Sequence, residues 1–176
     1  MQGVGTLISK QPRLVYPIGR RTRFSEGFGS VASTTSMTLV SDTVVAAGGD
    51  FSEPLQLGEG ALAVALDVLG WVDDQPVSLA HYWFPENRFA GLAQAFSAHR
   101  SISAALASFG IADYVRVDTE IIGRIASAAE TRLLQLPAGS VVLEARYMNA
   151  DLDGKPIQYS QVIFRADRVS LKMEAI

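Results

Sequence analysis

Residues 55–85, LQLGEGALAVALDVLGWVDDQPVSLAHYWFP, share their pattern with residues 134–164, LQLPAGSVVLEARYMNADLDGKPIQYSQVIF. Each copy begins with Leu-Gln-Leu, and Gly60 in the first copy matches Gly139 in the second. In both, a long apolar run leads to an acidic turn, a proline and a second run ending in aromatic residues. Two copies at so long a period favour one domain built from two related hairpins over a solenoid.

Each copy is predicted to be a β-hairpin. Residues 141–148 alternate between an apolar face and a partly charged face, as expected of a strand with one face buried. The connection at residues 151–156 carries the Asp and Gly residues that tight turns favour, and the connection at residues 73–76 carries two Asp residues before its proline. A hairpin alone is marginally stable in water, so we expect both hairpins to share one antiparallel sheet roofed by helices.

Composition narrows the function class. The chain has 176 residues, 48% hydrophobic and 19% charged, which is enough for one domain with a full core. A net charge of -3 argues against direct binding of a nucleic-acid backbone by this segment. The absence of cysteine excludes disulfides, thiol chemistry and zinc fingers, and fits a reducing, cytoplasmic compartment. We expect no membrane association, since no apolar run approaches the ~20 residues of a span and the N-terminus lacks a signal-peptide core.

The remaining chain mixes strands and helices, so the predicted class is α+β. The expected elements are a strand over 36–47, a helix from Pro85 to about Phe96, a helix over 102–109 capped by Ser101, a strand over 114–125, a helix from Ala128 to about Leu136 capped by Ser127, and an edge strand over 171–174.

Signs of catalysis or cofactor chemistry are few. His81 and His99 are not spaced as metal ligands, no G-x-S-x-G occurs, and residues 58–60 form a turn and not a phosphate loop. The sequence therefore predicts no metal, no cofactor and no catalytic residue. His81 lies in a strand among aromatics, where it either faces a ligand or is an ordinary strand residue.

An arginine cluster suggests an anion site. Arg20, Arg21 and Arg23 precede a predicted short helix over 26–33, with Ser25 as its N-cap and Phe24 as a hydrophobic staple. Free N–H groups, a hydroxyl and guanidinium groups together bind anions. The alternative is that these arginines are surface charge and the serine only caps.

A second group of donors follows Arg100, where Ser101 and Ser103 open another predicted helix. If the anion site forms, its ligand is a small anion, with phosphate or phosphonate first, and the aromatic-rich hairpin supplies the pocket wall.

Several motifs resemble one family. Residues 3–8, GVGTLI, resemble the G-x-G-T-F-V close of a winged helix–turn–helix, with Leu7 for the usual Phe. Residues 153–159 and 164–168, DGKPIQY and FRADR, resemble the D-G-x-P-I-x-Y and R-x-D-R block of the effector-binding (UTRA) domain in the HutC branch of GntR-type transcription regulators. Residues 21–26, 81–89 and 101–114 resemble the phosphonate-metabolism (PhnF-type) regulators in particular.

The resemblance implies a chorismate-lyase-like fold, an antiparallel sheet flanked by helices, that binds an effector without catalysis. It implies that residues 1–10 are a remnant of the DNA-binding domain and linker, and that residues 11–176 are the UTRA domain. It also implies a homodimer that reaches operator DNA only through the absent N-terminal domain, which the effector re-orients.

The resemblance also implies site residues. Ser25 and Ser101 match hydroxyl donors, Gln158 stands where a carboxylate is common, and Phe164 where a tyrosine is common. Val68, Gly70 and Ala80 replace charged residues of the sugar-phosphate branch, so an amino-sugar phosphate is not expected, and Arg21, Arg23 or His81 must supply the charge. The candidate ligand-binding residues are Arg21, Arg23, Ser25, Glu26, His81, Ser101, Ser103, Gln158 and Phe164. Arg165, Asp167 and Arg168 are expected to form structural ion pairs at a strand end.

Three hypotheses remain at this point. The first is a ligand-sensing domain for a phosphonate, phosphate ester or related small anion. The second is an enzyme of the lyase-like fold, with Glu26, Glu120 or Glu144 as the acid. The third is a domain with a degenerate pocket that only dimerises.

Overall fold

A computed structural model describes residues 13–21, 23–29 and 32–173, so the predicted remnant at residues 1–10 lies outside the described residues. The strands are β1 (Leu14–Pro17), β2 (Thr35–Ala46), β3 (Leu62–Val72), β4 (Gln75–Pro85), β5 (Tyr114–Arg116), β6 (Glu120–Ile125), β7 (Val141–Asp151), β8 (Pro156–Arg165) and β9 (Val169–Lys172). The α-helices are α1 (Phe24–Phe28), α2 (Glu86–Phe89), α3 (Leu92–His99), α4 (Ile102–Ser108) and α5 (Ala128–Leu133).

Seven strands form the main sheet, and every pairing in it is antiparallel. Strands β2, β3, β4, β8 and β7 are neighbours in that order, and β5 and β6 both pair with the far edge of β7. Strands β1 and β9 pair in parallel as a separate two-stranded sheet. With its flanking helices this arrangement confirms the predicted α+β, chorismate-lyase-like fold class.

The sequence repeat is also a repeat of backbone conformation. Gln56 and Gln135 are both left-handed, with φ of 55° and 54°, and Gly60 and Gly139 follow at 74° and 79°. The copies extend back beyond the hairpins, because β2 precedes the first copy as β6 precedes the second, and each strand pairs with the hairpin after it. The two halves meet where β4 pairs with β8.

The turn of the first hairpin contains two left-handed residues, Asp73 and Asp74, with φ of 48° and 63°. This is the backbone of a type I′ turn, whose twist matches that of the strands it joins. The Oδ1 atom of Asp73 also accepts hydrogen bonds from the backbone N–H groups of Ser33 and Thr34 at 3.0 and 2.9 Å. Asp73 therefore has a structural role at this turn.

The two faces of the sheet are covered differently. The larger core lies under α1, α3 and α4, where Phe28, Phe84 and Phe96 are almost fully buried. The smaller core lies under α5 on the opposite face and includes Leu134 and Ile163. Full burial of each such side chain contributes roughly 1.5–3 kcal/mol relative to exposure.

Two predicted elements are interrupted. The helix expected from Pro85 is split into α2 and α3, because the chain turns at Gly91, whose φ is 88°. The strand expected over 114–125 is split into β5 and β6. Between them, the N–H of Val117 donates to the carbonyl of Met148, and the N–H of Met148 donates to Asp118 Oδ1.

The predicted caps have mixed outcomes. Ser101 and Ser127 cap α4 and α5 as predicted, and Glu130 completes a capping box on α5. The prediction for Ser25 is wrong: α1 begins at Phe24, two residues before the predicted start, and Arg23 takes the N-cap position with no side-chain hydrogen bond.

The predicted C-terminal edge strand over 171–174 corresponds to β9, which begins earlier and pairs with β1 instead of the main sheet. Residue 174 lies outside the described part of the chain.

Candidate functional site

A small cavity lies between α1, the start of α4 and the inner face of the sheet. Its volume is about 100 Å³, which is the space of about three water molecules. It is lined by Tyr16, Arg23, Phe24, Ser25, Thr35, Ser36, Met37, Tyr82, Arg100, Ser101, Ile102, Ser103, Tyr114, Arg116, Tyr147, Asn149, Gln158 and Val162.

The charge of this lining has one sign. Arg23, Arg100 and Arg116 contribute guanidinium groups, and no carboxylate is among the described residues that line the cavity. Four of the five tyrosines of the chain also lie here. The lining therefore offers many hydrogen-bond donors and a positive potential, which suits a small anion.

Arg116 is the most unusual residue of the lining. Its side chain is only 7% exposed, and its Cζ lies 3.8 Å from the centroid of the Tyr147 ring. Its Nε and Nη1 groups have no hydrogen-bond partner in the described part of the chain. A buried donor without an acceptor is destabilising by roughly 1–3 kcal/mol, and by more when charged, so this residue is a candidate contact for an anionic ligand.

Arg23 is fixed by its neighbours. Its Nη2 donates to the carbonyl of Tyr114 at 2.6 Å, and its Cζ lies 3.5 Å from the centroid of the Tyr114 ring. Asp113 lies 3.5 Å from the same nitrogen and so neutralises part of the charge. A pre-oriented guanidinium loses little entropy when a ligand binds.

The tyrosine hydroxyls of the cavity are donors at neutral pH. Burial raises the pKa of Tyr16, Tyr82 and Tyr114 above the usual range, so none ionises under ordinary conditions. The hydroxyl of Tyr114 also shares a hydrogen bond of 2.9 Å with Ser103 Oγ.

A buried chain of amides forms another part of the wall. Asn149 Nδ2 donates to Gln158 Oε1, and Gln158 Nε2 donates to Ser160 Oγ, each at 3.0 Å. The Oδ1 atom of Asn149 is buried without a donor among the described residues. The wall therefore has one unused acceptor beside its many donors.

Two glycines allow α1 to lie close to the cavity. A Cβ at Gly27 would meet the ring of Tyr16, and a Cβ at Gly70 would meet the ring of Phe24 and the hydroxyl of Ser78. Both aromatic rings line the cavity. Glycine at these positions is thus required by close packing.

A second depression of about 510 Å³ lies on the other side of Arg116. Most of its lining is exposed, including Arg20, Val117 and Met173. An open site leaves a ligand hydrated, so we take the smaller, more enclosed cavity as the candidate site.

Comparison with known proteins identifies the family. Residues 32–170 match the UTRA domain. The chain belongs to the UTRA domain family. It is also 40% identical over 174 residues to an HTH-type transcriptional regulator of Rhizobium meliloti (strain 1021), covering 99% of this chain and 71% of that protein.

Solved structures of UTRA relatives share the fold. PhnF from Mycobacterium smegmatis superimposes with a TM-score of 0.84 at 22% identity, covering 94% of this chain and 73% of that one. The C-terminal domain of the histidine utilization repressor from Pseudomonas syringae pv. tomato gives a TM-score of 0.67 at 18% identity, covering 81% and 99%.

Five of the nine residues predicted from the sequence line the cavity of this UTRA domain. They are Arg23, Ser25, Ser101, Ser103 and Gln158. Of these, Ser101 uses its Oγ to accept the N–H of Ala104, and Gln158 is held within the amide chain. Their contact with a ligand stays a prediction.

The other four lie elsewhere. His81 is on the opposite face of the sheet, where its Nδ1 lies 2.6 Å from Asp67 Oδ1. Strand alternation explains this, because Tyr82 is the residue of β4 that faces the cavity.

Phe164, Arg21 and Glu26 are also absent from the lining. Phe164 packs behind the ring of Tyr16 at 5.2 Å, Arg21 is 63% exposed and pairs with Asp113, and Glu26 is exposed on α1. Of the three predicted sources of charge, Arg21, Arg23 and His81, only Arg23 lines the cavity, and the other guanidinium groups of the lining are those of Arg100 and Arg116.

Sequence reasoning missed Arg116, Arg100, Asn149 and the four tyrosines. The available signal for Arg116 was a lone arginine at an alternating position of a strand, facing the same side as Tyr114. Such a position is usually apolar when it faces a core, so a charge there is informative.

Two further observations complete the description. None of the helices in residues 13–21, 23–29 and 32–173 is long and apolar enough to cross a membrane. Within the same residues, no three His, Asp or Glu side chains are grouped as metal ligands.

Proposed function

We propose that this chain is the ligand-sensing domain of a GntR-type, HutC-branch transcriptional regulator, with a small oxyanion of the phosphonate or phosphate type as its effector. The anion occupies the cavity between α1 and α4. Its binding changes the orientation of a DNA-binding domain that precedes this chain, and the regulator acts as a homodimer.

The observation that carries this proposal is Arg116. A buried guanidinium whose Nε and Nη1 have no acceptor among the described residues is unfavourable without a ligand, and an oxyanion would accept hydrogen bonds from both nitrogens. Arg23 and the hydroxyls of Ser101 and Ser103 are close enough to line the same space. The volume of about 100 Å³ fits a ligand of phosphate or methylphosphonate size.

The enzyme hypothesis has less support. Its three candidate acids do not line the cavity: Glu26 and Glu120 are exposed, and Glu144 is buried on the opposite face between Arg124 and Arg146. Those arginines, with Gln161, lower the pKa of Glu144 although burial acts in the opposite direction. An ionised, fully paired carboxylate does not serve as a general acid.

A thermal-shift titration with phosphate and methylphosphonate tests the proposal. We expect each anion to raise the melting temperature of the wild type, since a ligand that binds only the folded state stabilises by roughly 2.7 kcal/mol at a hundred times its Kd. Arg23→Ala should abolish most of the shift.

Arg21→Ala is the matched control for this titration. It removes the same charge two residues away, but Arg21 is 63% exposed and lies outside the cavity lining, so the shift should persist. A wild type that shows no shift with either anion at millimolar concentration contradicts the proposal.

Sedimentation velocity tests the proposed homodimer. A protein that remains a monomer at all concentrations would contradict this part of the proposal.

A further inference from the structure

We infer that the cavity selects oxyanions that carry no ammonium group, so its ligand is a phosphonate or phosphate ester with a neutral substituent. This inference rests on the proposed function and specifies the ligand class of the same site. It comes from the residues that line the cavity and from the partners of the acids around it.

The cavity offers nothing to neutralise a cation. Three guanidinium groups line it, and no carboxylate does so within the described chain. The nearby acid Asp113 already pairs with Arg21 and Arg23. An ammonium group bound here would face only like charges and would lose its hydration without a counter-ion.

The acids of the adjoining strands are also engaged. Asp151, at the end of β7, pairs with Arg88 at 2.8 Å and accepts the N–H of Lys155. Glu144, on the opposite face, is bound by Arg124 and Arg146. Neither is free to turn toward the cavity without breaking ion pairs.

The unused polar atoms specify the complementary ligand. Arg116 Nε and Nη1 need acceptors, and Asn149 Oδ1 needs one donor. An oxyanion satisfies the arginine, and a neutral hydroxyl satisfies the amide oxygen. An ammonium group has three N–H donors that each require an acceptor, whereas guanidinium groups have no acceptor atom. A hydroxyl-bearing phosphonate therefore fits these atoms better than an amino-bearing one.

Calorimetric titration of the whole chain with ethylphosphonate, 2-hydroxyethylphosphonate and 2-aminoethylphosphonate tests the inference. The three ligands share a carbon chain and differ in one substituent. We expect the hydroxyl compound to bind at least as tightly as ethylphosphonate, and the amino compound to bind at least ten times more weakly than either.

Asn149→Asp provides the reverse test, because it places a carboxylate at the unused acceptor with almost no change in shape. We expect it to strengthen binding of the amino compound and weaken binding of ethylphosphonate, so that their order is inverted. Asn87→Asp makes the same charge change at an exposed residue of α2 outside the cavity and should leave the order unchanged.

The outcomes distinguish a failure of the proposed function, anion binding, from a failure of this inference, the exclusion of ammonium groups. If none of the three phosphonates binds the wild type, the proposed function fails. If the amino compound binds the wild type as tightly as ethylphosphonate, this inference is overturned while the proposed function stands. Should Asn149→Asp fail to fold, the wild-type comparison alone decides.

Discussion

Two arginines of the same protein differ in how their charge is partnered, and this difference is the reason that Arg116 carries the proposed site. Arg124 donates hydrogen bonds to Glu130 and Glu144 at 2.5–2.8 Å, so its charge is balanced within the fold. Arg116 is more deeply buried, and its Nε and Nη1 have no acceptor among the described residues. The first arginine is paired within the fold, whereas the proposal assigns the second to a ligand.

Replacing Arg116 with Met should separate stability from function. Methionine is similar in length and apolar, so Arg116→Met removes a buried charge with two unpartnered nitrogens without leaving a large void, although it also loses the contacts of Arg116 with Tyr16 and Tyr147. We expect the ligand-free unfolding free energy to stay the same or to rise by about 1 kcal/mol. Urea unfolding of the ligand-free protein measures this difference.

Arg124→Met is the control for that measurement. It leaves Glu130 and the buried Glu144 with fewer partners, so it should lower the unfolding free energy by roughly 3 kcal/mol or more. Equal losses in both variants would show that Arg116 is a structural residue and not one held for a ligand.

At this scale the sequence predicted the donors that lie near helix starts, but among the strand residues that line the cavity it indicated only Gln158, through the family resemblance. Arg23 and Ser101 were identified because capping and charge clusters are local patterns. Arg116 and Asn149 could not be, because they are separated by 33 positions and meet only through the pairing of β5 with β7. His81 was assigned to the site because a strand residue among aromatics can face either side of the sheet.

At the scale of helices and strands, the position of α1 depends on Gly70, a glycine of strand β3. Gly70 of β3 lies under the ring of Phe24, and a Cβ there would contact Phe24 and Ser78. Gly70→Ala should therefore lower the unfolding free energy by roughly 1–3 kcal/mol. It should also weaken anion binding, since Phe24 and Arg23 move together. Thermal unfolding with and without phosphate measures both effects.

Gly123→Ala in β6 is the matched control, because a Cβ at that position meets no heavy atom within 4 Å. It should leave stability and phosphate binding nearly unchanged. If Gly70→Ala behaves like this control, then close packing at Gly70 does not position α1.

Helix α5 should confer a stability that depends on pH. The hydrogen bond from Arg124 lowers the pKa of Glu130 to about 2, against the opposing effect of burial. An unfolded Glu titrates near 4.3, so this stability is present above about pH 4.3 and is lost as the pH falls toward 2. The contribution is at most about 3 kcal/mol.

Glu130→Gln should be less stable than the wild type at pH 7 and should lose less stability between pH 4.3 and 2. Urea unfolding at pH 7, 4 and 3 measures the difference between the two proteins. A difference that stays constant over this range would show that the ion pair does not account for it.

The boundaries of strands and helices were predictable where turn-forming or capping residues mark them in the sequence. The hairpin turns and the caps of α4 and α5 follow from Asp, Gly and Ser at fixed offsets. The breaks at Gly91 and at residues 117–119 were missed, because apolar periodicity continues across both while tertiary contacts interrupt the backbone. The parallel pairing of β1 with β9 joins distant residues and has no local pattern.

For the whole molecule, the repeat accounts for most of the architecture. Each half supplies a strand, a short helical segment and a hairpin, and the halves join through β4 and β8. The helical segment of the first half is a 3-10 helix, Gly49–Phe51, and that of the second is α5. Both lie on the same side of the sheet, since Phe51 stacks on Trp83 at 5.3 Å and α5 covers that side. The cavity breaks this symmetry, because α1 and α4 have no repeated counterpart among the elements of the described residues.

The sequence therefore predicted the fold class better than the site. A repeat with period-two alternation specifies an antiparallel sheet without reference to distant contacts. The site is assembled from α1, α4 and six strands whose relative placement depends on packing. Apart from Gln158 of β8, which the family resemblance indicated, only residues at or near the helix starts were identified in advance. Its most informative feature, a set of unused hydrogen-bonding atoms, exists only in the folded chain.

The most direct test of the account is calorimetric titration of methylphosphonate into the wild type and Arg116→Met in phosphate-free buffer. Binding by the wild type and a loss of at least about thirtyfold in affinity for Arg116→Met are predicted, since hydrogen bonds to a charged group contribute roughly 1.5–3 kcal/mol each. Unchanged affinity in Arg116→Met would contradict the account, because the buried guanidinium would then have no part in binding the anion.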